Sequence, residues 1–292
     1  MIEKLKETII KANESYRKGD PFITDVEYDK LLDKLSILSP NDELLTKVGH
    51  VVIDESRKRR LPIDMASMNK IKSKSDIDDW CRLKGISKNE LVIITPKFDG
   101  LSLCVNELDN SAYTRGDGVY GQQSDDHYKL IQNHLHYDSK VENDLPFTYT
   151  YGEVMMSKGK FQDSYSKDFA NPRNLVAGLL NSKTITDSLK DCDYIKYGAV
   201  CRTKFTKKQE IIDELNNGQK IKVNYHICKI SDLTEDLLID LFHKLSPDYE
   251  IDGLIIEIND IQTQNRLGRE TSSNNPVWAR AFKHPSFEQS AE

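Results

Sequence analysis

The apolar positions in the first sixty or so residues recur with the period of a helix. One face of the first predicted helix carries four such positions: Ile2, Leu5, Ile9 and Tyr16. A Gly-Asp-Pro break at 19–21 precedes a second predicted helix, in which Thr24 is the N-cap and Glu27 completes a capping box. This second helix is expected to end near Pro40. The pattern predicts a small helical subdomain at the N-terminus.

From about Leu91 the pattern changes to short apolar or alternating runs, which indicate β-strands. Six runs are predicted to be strands: 91–95, 101–108, 149–156, 193–201, 221–227 and 253–258. Helices are predicted between them, at 172–181, around 207–215 and at 233–245. The first of these helices has Asn171 as its N-cap and a proline in its first position.

The change of pattern divides the chain in two. We place the boundary near residue 70, with a linker or a first strand across 65–73. The predicted fold class is α+β, with a helical subdomain at 1–69 and a domain of antiparallel sheets with flanking helices at 70–292.

Composition and charge restrict the function classes. No apolar run approaches a membrane span, and the N-terminus lacks the apolar core of a signal peptide. The five cysteines form no Cys-x-x-Cys pair, which argues against a disulfide framework or a zinc site and favours a reducing cytoplasm. A domain that grips DNA strongly by itself is usually basic, whereas this chain has a net charge of −6. Any binding of DNA by this chain alone is therefore expected to be weak.

Lys97 is the candidate nucleophile. It lies in Thr-Pro-Lys-Phe-Asp-Gly at 95–100, where a strand is predicted to end in a sharp turn. A lysine with the ordinary pKa of about 10.4 is almost fully protonated near neutral pH, so a nucleophilic lysine needs nearby cations or burial. An isolated Lys-x-Asp-Gly is more often a plain surface turn, and the assignment therefore depends on the motifs that follow.

Those motifs come in a fixed order along the rest of the chain. Thr-Arg-Gly-Asp-Gly at 114–118 has glycines that let the backbone approach a ligand, and its arginine can engage phosphate or ribose. The others are Gly-Glu-Val at 152–154, Phe-Ala-Asn-Pro-Arg-Asn at 169–174, Asp-Gly-Leu-Ile-Ile at 252–256 and Ala-Phe-Lys-His-Pro at 281–285. Taken singly, each motif is typical of a turn, a helix cap or an edge strand.

Together these segments resemble the nucleotidyltransferase (adenylation) domain of bacterial-type NAD⁺-dependent DNA ligases, with its ATP-grasp-like ligase fold. The resemblance covers nearly the whole chain and implies that Lys97 is the adenylated nucleophile, with Asp99 beside it. It further implies that Arg115 and Glu153 bind the ribose and phosphate of AMP, and that Lys283 binds the α-phosphate.

The segment before the strand-rich region also resembles a nucleotide-binding part of the same family. Ser67 and Met68 match the stretch that lines the adenine site.

The helix start at Asp25, Tyr28 and Asp29 places two carboxylates and a ring on one face, which suits a cationic nicotinamide. Taken alone, an acidic helix start is usually a solvated one. The phrase Pro-x-Ile-x-Asp-x-Glu-Tyr-Asp, however, matches the family's NMN-binding subdomain and favours NAD⁺ over ATP.

The chain departs from the family pattern at four positions: Thr95 for Glu, Ser15 for the first of two tyrosines, Asn181 for Arg and Glu257 for Lys. The second departure leaves Tyr16 as the remaining aromatic residue of the nicotinamide site. The last departure reverses a charge near the phosphates. We therefore expect Glu257, with Glu153 or Asp252, to help hold a divalent cation in place of the lysine. The alternative is that Glu257 pairs with a neighbouring basic residue.

The function implied is transfer of AMP from NAD⁺ to Lys97 with the help of Mg²⁺, and later transfer of AMP to the 5′-phosphate of nicked DNA. The family continues into an OB-fold and further DNA-binding domains. Sealing is therefore expected to need these domains or a second subunit, as in a divergent viral, phage or split form. Two alternatives stay open. One is an RNA ligase or capping-type enzyme that uses ATP or GTP. The other is a non-catalytic nucleotide-binding subunit, for which Thr95 and Glu257 are the motivation.

Overall fold

The N-terminal part of the protein is helical. The computed structural model describes residues 2–17, 22, 23, 25–39, 42, 44, 55–131 and 146–287. Helices α1 (Ile2–Arg17) and α2 (Asp25–Leu38) pack together through buried Leu5, Ile9 and Leu35. The predicted amphipathic helices are therefore confirmed. Thr24 lies outside the described residues, so the capping box stays a prediction.

The rest of the described chain alternates strands and helices. The strands are β1 (Lys58–Arg60), β2 (Lys70–Ile71), β3 (Leu91–Phe98), β4 (Leu101–Asn106), β5 (Ala112–Thr114), β6 (Tyr120–Gln122), β7 (Phe147–Met155), β8 (Asp193–Cys201), β9 (His226–Lys229), β10 (Ile251–Ile258) and β11 (Ala279–Phe282). The helices are α3 (Lys74–Lys84), α4 (Asp125–Ile131), α5 (Lys158–Ser164), α6 (Pro172–Asn181), α7 (Lys208–Asn217), α8 (Glu235–Leu245) and α9 (Ile261–Leu267). The α+β fold class is confirmed.

The strands form two larger sheets and one small one. The five-stranded sheet has the order β2-β11-β10-β3-β9, and the four-stranded sheet has the order β5-β4-β7-β8. All of these pairs are antiparallel except β2 with β11. Ile93 and Phe98 of the first sheet pack with Met155 and Ile195 of the second. This shared core joins the two sheets next to the end of β3, where Lys97 lies.

Helix α6 shows how the local sequence defines an element. Asn171 caps it by accepting a hydrogen bond from the backbone N–H of Asn174, and Pro172 occupies the first turn, as predicted. The residue after this proline is Arg173, and the cap thus places it at the end of α6 that lies nearest the Lys97 turn.

The segment 55–69 packs against the strand-rich part, although the sequence assigned it to the helical subdomain. Strand β1 pairs with β6. The backbone N–H groups of Leu61 and Met65 donate to the carbonyls of Val119 and Gly118. The 55–69 segment is thus attached to the strand-rich part by these backbone hydrogen bonds.

Candidate active site

Two lysines converge on one carboxylate at the end of β3. The Nζ of Lys97 lies 2.7 and 2.8 Å from the two carboxylate oxygens of Asp252, and the Nζ of Lys283 lies 2.9 Å from one of them. Burial alone would raise the pKa of Asp252, but the charges of Lys97 and Lys283 outweigh it and hold that pKa well below its usual range. Asp252 is therefore ionised and fixes the position of both ammonium groups.

The backbone of β10 explains why Asp252 faces Lys97. Gly253 is paired with Lys97, and the ladder is interrupted between Ile251 and Gly253, so Asp252 is the extra residue of a bulge. A side chain at position 253 would collide with the backbone oxygen of Phe282, because a Cβ there would lie 2.5 Å from it. The Asp-Gly pair thus brings a carboxylate and the following strand β11 close to the nucleophile.

Asp99 has a different partner from Asp252. Its carboxylate accepts a hydrogen bond from the guanidinium of Arg173, and its backbone N–H donates to the carbonyl of Glu250 at 3.0 Å. The next residue, Gly100, lies so close to β7 that a Cβ would come within 2.2 Å of the carbonyl oxygen of Val154. An ion pair, a backbone hydrogen bond and a close backbone contact therefore hold the turn after Lys97.

Glu153 is buried on β7 beside this turn. Its carboxylate accepts hydrogen bonds from Ser102 Oγ, at 3.0 and 3.2 Å, and from the Tyr197 hydroxyl at 3.1 Å. Burial raises the pKa of Glu153 to about 7, although these hydrogen bonds and the charges of Lys97 and Arg173 oppose the shift. Glu153 can therefore change its protonation state near neutral pH.

Arg115 connects the glycine-rich turn to the segment before β2. Its guanidinium donates to the carbonyl of Met65 at 3.0 Å and to Ser67 Oγ at 2.5 Å, and its backbone N–H donates to the carbonyl of Ser102. Ser102 in turn binds Glu153. The structure thus brings together the predicted residues Arg115, Ser67 and Glu153. Met68 lies next to Ser67 and is partly exposed.

The turn after Arg115 needs glycines for a backbone reason. Gly116 and Gly118 have φ angles of 55° and 93°, in the region that side-chain-bearing residues rarely adopt. This conformation lets the chain reverse and places Arg115 next to the 61–69 segment.

The expected metal-binding role of Glu257 needs correction. Its carboxylate lies 3.5 Å from Lys208 Nζ and accepts a hydrogen bond from Gln264 at 3.2 Å. Asp252 lies five residues away on β10, which is roughly 16 Å along a strand. Among the described residues, no group of three or more His, Cys, Asp or Glu is arranged to hold a metal ion. The alternative pairing with a basic residue is therefore the one observed.

Lys208 supplies the charge that balances Glu257. Burial alone would lower the pKa of Lys208, but the carboxylate of Glu257 outweighs it and the pKa is raised. Lys208 is paired and charged, and the predicted grouping of Glu257 with Glu153 and Asp252 is absent from the described site.

The nicotinamide-binding prediction falls partly outside the described residues. Tyr28 lies on α2 and packs against the buried cluster of Leu5, Ile9 and Leu35. Tyr16, Asp25 and Asp29 belong to the helices, but their side chains lie outside the described part of the structure. Their role stays a prediction.

Three residues of the site were not assigned a role from the sequence: Ser102, Arg173 and Tyr197. A signal existed for Arg173, since it lies in Phe-Ala-Asn-Pro-Arg-Asn directly after the helix cap. No local signal marks the others, because their partners come from distant strands and helices.

A lysine at a strand end, two carboxylates beside it and a second lysine directly after β11 define a candidate nucleotidyltransferase centre. A sequence model described as the NAD-dependent DNA ligase adenylation domain matches residues 55–287. The chain belongs to this family.

Individual relatives agree with the family match. A DNA ligase of Acanthamoeba polyphaga mimivirus is 32% identical over 96% of this chain and 42% of its own length. A DNA ligase of Clostridioides difficile is 29% identical over 98% of this chain and 45% of its own length. The chain therefore spans less than half the length of these curated relatives.

Among solved structures, an RNA ligase of Naegleria gruberi superposes with a TM-score of 0.42 at 12% identity, over 88% of this chain and 70% of that chain.

Within the described residues, no helix is long and apolar enough to cross a membrane.

Proposed function

We propose that this chain is the adenylation part of an NAD⁺-dependent DNA ligase and that Lys97 accepts AMP from NAD⁺. The observation that supports this most is the contact of Lys97 and Lys283 with Asp252, because it joins the proposed nucleophile to the proposed phosphate-binding lysine. The family match supports the same reaction class.

In the proposed step, Lys97 first releases its ammonium proton to solvent, and its neutral amine then attacks the α-phosphorus of NAD⁺. A phosphorus–nitrogen bond forms as the bond to the NMN oxygen breaks, and the amine proton passes to solvent. Lys283 stabilises the negative charge on the phosphoryl oxygens, and positioning together with charge stabilisation supplies most of the catalysis in such transfers. Asp252 holds both lysines in place, and Arg173 fixes Asp99 at the adjacent turn.

Arg115 and Glu153 are proposed to bind the ribose and phosphate of the AMP moiety, and Ser67 and Met68 to line the adenine. The contact of Arg115 with Ser67 supports a shared surface for one nucleotide. We further propose that Tyr16, Asp25, Tyr28 and Asp29 bind the NMN moiety, which would make NAD⁺ rather than ATP the AMP donor.

We propose that this site binds Mg²⁺ only together with the substrate, whose phosphate oxygens supply some of the ligands. Mg²⁺ is usually held by one or two carboxylates together with phosphate oxygens and water. Glu153 can supply one such carboxylate when it is ionised, and Asp252, already bound to two lysines, can supply a second. The bound metal would neutralise phosphate charge.

The later steps are proposed to be transfer of AMP to the 5′-phosphate of nicked DNA and sealing of the strand, with further domains or a second subunit.

All five cysteines lie within the described residues and are free, which supports a reducing compartment such as the cytoplasm.

The nucleophile is tested by labelling with NAD⁺ that carries a radioactive adenylate phosphate. Lys97→Ala is expected to abolish labelling while the far-ultraviolet circular dichroism stays that of a folded protein, because Asp99 and Gly100 hold the turn and Lys283 still pairs with Asp252. Lys244→Ala is the matched control, since Lys244 is an exposed lysine on α8. Labelling of a folded Lys97→Ala protein would show that the nucleophile lies elsewhere.

A further inference from the structure

Four consecutive basic residues, 57–60, lie at the start of the larger domain of this acidic chain. Three of them form strand β1, and all three are exposed. Strand β1 pairs with β6 alone among the described strands. We call Lys58, Arg59 and Arg60 the basic strand. A cationic surface of this kind complements a phosphate backbone.

The basic strand is rigidly attached to the domain. Arg57, directly before it, donates four hydrogen bonds of 3.0–3.3 Å, whose acceptors are the carbonyls of Gln123, Leu180 and Ser182 and the hydroxyl of Ser124. The Nζ of Lys58 lies 5.8 Å from the centroid of the Tyr120 ring, on the neighbouring strand. Arg57 is thus committed to the fold, and it presents the next three residues at a fixed place.

The ion pairs of the basic strand are weak enough to be exchanged for phosphates. Lys58 lies 3.4 Å from Glu55, and Arg60 lies 3.5 Å from Asp64. All four side chains are exposed, and such surface pairs contribute about 0–1 kcal/mol. Arg59 donates from one terminal nitrogen to the carbonyls of Ser56 and Lys58. Arg59 as a whole is exposed.

The basic strand is connected to the nucleotide site by a short, fixed segment. Residues 61–65 are hydrogen-bonded to the 118–119 turn, and Arg115 of the site binds Met65 and Ser67. Ser67 is seven positions after Arg60, a distance of at most about 25 Å for an extended chain. This is less than one turn of a DNA duplex, which is about 34 Å.

From the charge, the exposure and the distance we infer that the basic strand binds the phosphate backbone of the duplex flanking the nick, within one helical turn of the nucleotide site at Ser67. This inference rests on the proposed function in DNA joining. A basic edge strand can also serve only to prevent pairing with other sheets. That role predicts no effect on DNA, and the two roles are therefore separable by experiment.

The test is the salt dependence of binding between the full chain and a fluorescent nicked duplex, followed by anisotropy. The triple variant Lys58→Gln/Arg59→Gln/Arg60→Gln removes the three cations. We expect the slope of log K against log [NaCl] to fall in magnitude by about 2 to 3, since each lost phosphate contact lowers it by about 0.9. The matched control is Arg82→Gln/Lys84→Gln/Lys88→Gln, which removes three exposed cations near α3. The control is expected to keep the wild-type slope.

Equal loss in both triple variants, or an unchanged slope in the basic-strand variant, would overturn the inference. So would the absence of salt-dependent binding by the wild-type chain. Labelling of Lys97 from NAD⁺ is measured in parallel and is expected to stay unchanged in the basic-strand variant. Failure of labelling in the wild type would instead count against the proposed function.

A second measurement avoids mutation. In the wild-type chain, nicked duplex is expected to protect Lys58, but not Lys244, from acetylation, and equal reactivity of Lys58 with and without DNA would contradict the inference.

Discussion

Glu153→Gln should change how the stability of the protein depends on pH. Burial raises the pKa of Glu153 from 4.5 to about 7 in the folded protein. The folded state therefore retains a proton that the unfolded chain releases between about pH 4.5 and 7. Stability associated with this carboxyl is fully present below pH 4.5 and is lost as pH rises towards 7. One pKa unit corresponds to about 1.4 kcal/mol, so the loss amounts to about 3 kcal/mol.

A neutral glutamine at position 153 cannot lose a proton, so the variant should escape this loss. Its hydrogen bonds to Ser102 and Tyr197 will differ in strength from those of the glutamate, but that difference does not depend on pH in this range. The free energy of unfolding of Glu153→Gln minus that of the wild type should therefore increase by about 3 kcal/mol between pH 4.5 and 7.5 and level off above it.

The assay is urea unfolding at half-unit steps of pH, followed by tryptophan fluorescence. Both tryptophans of the chain, Trp80 and Trp278, lie in the strand-rich part that contains Glu153. Glu55→Gln is the control, because the Glu55 side chain is 76% exposed, and its difference from the wild type should not follow pH in this way. A flat difference for Glu153→Gln between pH 4.5 and 7 would refute the account of a buried, protonated carboxyl.

Two further predictions concern the ion pair away from the nucleophile and the N-terminal helices. Lys208→Met should lower the free energy of unfolding by about 3–5 kcal/mol, because it leaves Glu257 buried and unpaired, and Lys208→Met/Glu257→Met should recover most of the loss. A loss below about 1 kcal/mol in the single variant would contradict this. Asp25→Ala, Tyr28→Ala and Asp29→Ala should each slow labelling from NAD⁺ but have much less effect on sealing a pre-adenylated nick. Equal damage to both reactions would indicate a role in folding.

Much of the fold follows from local patterns, and the exceptions have physical causes. The run 221–227 alternates like a strand, but β9 covers only His226–Lys229. Strand β3 continues to Phe98, but its pairing with β9 stops at Ile94, and residues 221–225 lie outside the ladder. Val223 is nevertheless buried. The alternation therefore reflects one buried face rather than a continuous ladder.

The residues of the site were likewise predicted only in part from the sequence. The order of the motifs led to Lys97, Asp252 and Lys283, because each lies at one end of a short strand that its own sequence specifies. The pairing of Arg173 with Asp99 joins residues 74 positions apart, and it depends on where α6 packs. The pairing of Glu257 with Lys208 depends on the placement of α7. Neither contact leaves a local pattern, and for this reason the sequence pointed to a metal at Glu257 instead of a lysine.

The central claim is most directly tested by the intact mass of the chain after incubation with NAD⁺ and Mg²⁺, beside a sample with ATP and Mg²⁺. The account predicts a mass increase of one AMP with NAD⁺ only, and none in Lys97→Ala with either nucleotide. An increase with ATP, or none with NAD⁺ in the folded wild-type protein, would contradict it.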